Sequence, residues 1–170
     1  MKTRKIIIKA LILFTAVLFV GISSKLDLLK DNFSTLSLTT KGYFIFLFMG
    51  ILSGILNYII TLKISGKKCA IIVLLSLFIG TLIPHDISYN LQGNLHMLNA
   101  YLGFIGLEII TFINIYNYSL SNNKKGNVLK IVYFICLFLA IYSYTLGMFV
   151  NTLSELFIIL SNLFVLIVIY

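Results

Sequence analysis

Six apolar stretches take up most of this 170-residue chain: Ile6 to Ser23, Tyr43 to Leu62, Cys69 to Ile83, Met97 to Tyr118, Leu129 to Phe149, and Thr152 to Tyr170. A helix that crosses a bilayer needs on the order of 20 apolar residues, because the hydrocarbon layer is about 30 Å thick and each residue rises about 1.5 Å. The pattern predicts an all-α, polytopic transmembrane helix bundle with six spans. With 60% hydrophobic and 11% charged residues, and a mean hydropathy of +1.07, polar surface is too scarce to cover a water-soluble domain of this length. The third stretch is the shortest, and snorkelling of Lys67 and Lys68 would extend it. Its place follows from its neighbours, since without it the lysines of the later loops would fall on the opposite side.

Sorting the cations tests this layout. With the N-terminus inside, Lys2, Arg4, Lys5, Lys9, Lys63, Lys67, Lys68, Lys124, Lys125 and Lys130 are cytoplasmic, and of the 13 Lys and Arg residues only Lys25, Lys30 and Lys41 are outside. That positive-inside bias places both termini in the cytoplasm of a multi-pass cell-membrane protein. It also excludes nucleic acid as the partner implied by the net charge of +8, because the cations are spread over short loops beside lipid headgroups. The first stretch has a second reading as a cleavable signal peptide, with basic residues before Ala10 to Val20 and small residues at Gly21 and Ser23. Lys9 and the Ile-rich flank favour a retained anchor. No internal repeat or Pro/Ser-rich linker divides the chain, so a single integral membrane domain over residues 1–170 is expected.

In the first outer loop, Leu26, Leu29, Phe33 and Leu36 recur at helical spacing, with Asp27, Lys30 and Asp31 between them. The pattern fits a short helix on the outer membrane surface, or equally a polar loop with scattered leucines. Cys69 and Cys136 both lie in apolar stretches and form no disulfide framework. On the second stretch Gly50 and Gly54 make a small-xxx-small pair, and Ser53, Asn57 and Thr61 extend the same face. In lipid, helices associate through close approach and through polar groups finding one another, so this face should meet another helix.

The two glutamates, Glu108 and Glu155, both fall inside spans. Glu108 lies about 16 Å below the outer end of its span, where an ionised side chain costs several kcal/mol and must be neutralised, paired or hydrated. Glu155 shares a stripe with Asn151 and Asn162; His96, Asn99, Gly103 and Asn114 form another on the fourth span, flanked by Thr111 and Glu108. If the stripes face each other, they line a polar cavity open to the outside. The loop from Pro84 to His96 holds both histidines and no lysine or arginine. His85, Asp86 and His96 offer nitrogen and oxygen ligands for zinc, although their spacing matches no zinc signature. His96 capping the fourth helix and His85-Asp86 forming a solvated turn is the simpler reading. Ser88, His96 and Asp86 lack the nucleophile elbow of a serine hydrolase.

At this loop the chain resembles a bacterial six-span membrane family of unknown function allied to the DRAM (damage-regulated autophagy modulator) proteins. The resemblance rests on Ile83-Pro84, Asp86, the Leu95-His96 pair and Ala100. His85 and the Asn-rich run before His96 depart from the family pattern. What the resemblance implies is six spans with a polar outer loop after the third, and Asp86 and His96 as matching positions; it implies no reaction or cofactor. The excess of lysine over arginine, with abundant Ile and Asn, suggests an AT-rich bacterial genome.

The leading expectation is a non-enzymatic integral membrane protein without cofactor. Its outward-facing polar pocket, built from Asp86, His96, Asn99, Glu108 and Glu155, would bind or pass a small molecule, lipid headgroup or proton. One competing reading is a membrane-embedded, metal-dependent lipid hydrolase using His85, Asp86 and His96. Another is an accessory subunit whose Gly50, Ser53, Gly54, Asn57 face binds a membrane-protein partner.

Overall fold

A computed structural model describes residues 2–83, 91–147 and 150–170. Among these, the chain forms six α-helices and one 3-10 helix, with no strand: α1 (Lys2–Ser23), the 3-10 helix Phe33–Leu38, α2 (Thr40–Ile64), α3 (Gly66–Leu82), α4 (Leu91–Ser121), α5 (Asn123–Gly147) and α6 (Thr152–Ile169). All of these except α3 and the 3-10 helix are long and apolar enough to cross a membrane, as the helices of an integral membrane protein are. α3 has 17 residues, or about 26 Å of rise.

The interior mixes apolar and polar side chains, while the surface is strongly apolar. Ile6, Val17, Phe44 and Phe138 are each more than 60% exposed, while Thr15, Asn57, Asn114, Asn151 and Asn162 are at most 2% exposed. Such a surface suits a solvent of acyl chains, in which backbone and side-chain polar groups must be satisfied internally.

The helices run past the apolar windows that define them. α4 starts at Leu91 rather than Met97, and α5 at Asn123 rather than Leu129, so Asn122 alone connects them. Apolar windows measure the hydrocarbon crossing, whereas a helix continues through the polar interface until something stops it. The outer loop differs more. Asp27 Oδ1 accepts from the backbone N–H groups of Leu29 and Lys30, and Asp31 Oδ2 accepts from that of Asp27. These bonds offer the backbone an alternative to helix, and turns occupy the stretch before Phe33 despite its helical leucine spacing.

The chain divides into two compact units, one of residues 33–110 and one of residues 1–32 with 111–170. In the first, α2 and α3 form a hairpin. α2 ends where the Ser65 N–H donates to Thr61 O, and Gly66 takes φ +87°, a conformation that costs glycine little and other residues much. Gly54 faces Leu74 and Leu77, Gly50 faces Thr81, and Tyr43 Oη donates to Leu82 O at 3.1 Å. One set of numbers falls as the other rises, so the helices are antiparallel, and α3 returns to the level at which α2 begins.

A methyl group at Gly50 would overlap the Thr81 methyl, whereas one at Gly54 would sit 3.7 Å from Leu74. Thr81 cannot turn aside cheaply, because its hydroxyl donates to Leu77 O and Phe78 O. Gly50→Ala is therefore expected to destabilise the hairpin by about 1–3 kcal/mol, with Gly54→Ala near neutral. Denaturant titration in mixed micelles should show partial recovery in Gly50→Ala/Thr81→Ala, and equal effects at the two glycines would contradict this packing.

In the second unit α5 and α6 form an antiparallel hairpin, and α1 packs on α6. The turn after α1 meets the beginning of α6, with Thr152 N donating to Asp31 O at 2.6 Å and Leu153 N to Leu28 O at 3.0 Å. α1 and α5 thus run parallel to each other and opposite to α6.

Candidate functional site

The N-terminus of α6 shows how the second unit handles polar groups away from water. Four N–H groups at a helix start have no intrahelical acceptor unless something supplies one. Here Asp31 and Leu28 take the first two, and Asn151 Oδ1 accepts from Ser154 N at 2.9 Å. The Ser154 hydroxyl in turn accepts from Asn151 N, which completes a capping box with serine in place of the usual Glu or Gln. Asn151 Nδ2 crosses to α5 and donates to Ser143 O at 2.8 Å.

Glu155 lies in the first turn of α6 and is 6% exposed. Two turns further, Asn162 Nδ2 donates to Thr111 Oγ1 on α4 at 2.8 Å, and Asn114 lies one turn beyond Thr111, 1% exposed. The stripe of Asn151, Glu155 and Asn162 is thus buried along its length. With Thr111 and Asn114 it forms a polar seam inside this unit.

In the other unit His96 is 2% exposed, and its Nδ1 donates to Ile83 O at the end of α3. In the neutral ring that bond leaves Nε2 as the acceptor nitrogen. Asn99 and Glu108 are half-buried and Gly103 buried on the same helix. Glu108 follows His96 by twelve residues, or about 18 Å along α4, so the two do not converge on one bound atom. Glu155 belongs to the other unit. Asp86, His85 and Ser88 lie outside the described residues, and with them most of the proposed zinc ligands. Among the described residues no three His, Cys, Asp or Glu side chains are grouped to hold a metal ion.

The Gly50, Ser53, Gly54, Asn57 face of α2 is occupied within the chain. Gly50 and Gly54 meet α3, Ser53 and Asn57 are buried, and Asn57 Nδ2 donates to Ser53 O at 3.0 Å. The part of this face formed by Gly50 and Gly54 is therefore covered by the chain's own α3. Ser143 plays a part that the sequence does not signal, because nothing local marks a mid-helix serine as the carbonyl that anchors Asn151. Comparison with known proteins returns no match to a family model, to a curated protein or to a solved structure.

Proposed function

We propose that the chain is a six-span integral membrane protein with both termini in the cytoplasm, and that polar groups carried inside its helices bind or pass a small molecule, lipid headgroup or proton. The observation that carries this reading is the distribution of burial: asparagine, threonine and glutamate are buried beside an apolar core, in helices whose outer surfaces are leucine, isoleucine, valine and phenylalanine. Intramembrane ionisable groups are costly, and function is the usual reason for keeping them.

The α2–α3 hairpin supports the sixth crossing. If α2 traverses the bilayer, a helix that returns from Gly66 to the level of Tyr43 traverses it back. The ends of the helices support the orientation. In one unit Arg4, Lys5, Lys9, Lys124, Lys125 and Lys130 lie at the starts of the parallel helices α1 and α5, with Lys25 and Lys30 at the far end. In the other, Lys63, Lys67 and Lys68 flank the hairpin turn, opposite Lys41. Lys2→Cys and Tyr170→Cys, each as the sole cysteine, are expected to react with an impermeant maleimide only after permeabilisation. Labelling on opposite faces would overturn the layout.

For the activity, the residues proposed are Glu108, Asn99 and His96 on α4, with Asp86 ahead of it in the sequence, and Glu155 in the other unit. Proteoliposomes loaded with a pH-sensitive dye are expected to dissipate an imposed proton gradient, and Glu108→Gln to slow this by at least about tenfold, as expected when a positioned proton-transfer group is removed. If Glu108→Leu left expression, folding, proton flux and ligand binding unchanged, the reading would fail.

A further inference from the structure

α5 carries a hollow of ≈ 430 Å³ on its outer side, lined by Lys130, Ile131, Phe134, Ile135, Phe138 and Leu139. The hollow is apolar along its length and cationic at one end. Ile131, Phe134, Ile135 and Phe138 are all more than half exposed, and among the described residues of this unit Phe112 of α4 meets one edge of the face, with ring centroids 6.1 Å from Phe134. At 100° per residue Lys124 falls on the same face of the helix, two turns before Ile131, and is exposed. Six residues set Lys130 about 120° around the axis and about 9 Å along it from Lys124, so the two long side chains flank the N-terminal end of the hollow from either edge.

From Lys130 to Leu139 the hollow runs about 14 Å, close to half of a ~30 Å hydrocarbon layer and so to the depth of one leaflet. We propose that this face is a binding site for an anionic phospholipid, with its phosphate between Lys124 and Lys130 and one acyl chain along Ile131 to Phe138. A second copy of the chain fits less well. Two copies in one bilayer share their orientation, so a two-fold pair through this face would set both lysines against their own duplicates.

The inference rests on the membrane reading, and the test separates the two. If the chain is absent from the membrane fraction, the membrane reading itself fails. Given membrane insertion, the full chain in detergent is offered equal amounts of phosphatidylglycerol and phosphatidylcholine with matched acyl chains, and retained lipid is counted by native mass spectrometry. Each cation near the surface gives about a five-fold preference, so roughly 25-fold in favour of phosphatidylglycerol is expected. Lys124→Gln/Lys130→Gln should bring the preference close to one, and Lys25→Gln/Lys30→Gln should leave it unchanged. Equal retention of the two lipids by the native chain, an equal loss in the Lys25/Lys30 variant, or a second copy of the chain retained on this face would each overturn the site.

Discussion

Asn151→Ala is expected to destabilise the unit built on α1, α5 and α6 by about 2–4 kcal/mol, the sum of a lost helix cap and a lost interhelical hydrogen bond with the small void left behind. The residue is 0% exposed, and the two ends of its amide bond different partners, since Oδ1 accepts from Ser154 N and Nδ2 donates to Ser143 O. Further substitutions separate the cap from the bridge. Asn151→Ser keeps an oxygen for the cap and loses the bridge to α5, so its cost should be about 1 kcal/mol. Asn151→Asp keeps the cap and sets a second oxygen against the Ser143 carbonyl, so it should fall between serine and alanine in neutral detergent. Unfolding in mixed micelles orders the series, and an alanine variant as stable as the native chain would show that the amide holds nothing together.

At Gly126 the expected loss is comparable and has the opposite cause. A Cβ there would overlap both Cα and Cβ of Ser119, and since Cα is backbone, no rotamer change relieves the clash. Nor can the turn open easily, because Asn122 N donates to Tyr118 O and Gly126 N to Asn122 O across a one-residue connection. Gly126→Ala should cost about 1–3 kcal/mol and Gly126→Val more, as overpacking does where the backbone must move. Ser119→Gly removes one of the two clashing atoms and should recover part of the loss. A Gly126→Val chain with native yield and native unfolding would mean that α4 and α5 do not approach so closely.

Much of the fold is legible in the residues one stretch at a time. Apolar length and composition determine that the chain is helical and that its exterior is hydrocarbon-like, because both are local properties of a helix meeting lipid. The outer turn was less legible, since leucine spacing and the aspartates compete there, and Asp27 captures backbone N–H groups that a helix would need.

Which face meets which depends on contacts between residues far apart in the chain. The sequence offers Gly50 and Gly54 as a contact face without saying that α3 occupies it, and the Asn151 stripe without saying that its first member is a cap tied to Ser143. It assigns Glu108 and the shallower Glu155 to one polar pocket, whereas the fold puts them in separate units. Lipid tails are as apolar as leucine, so no solvent force selects helix partners. Close approach at glycine and hydrogen bonds at asparagine select them instead, and those depend on residues far apart in the chain.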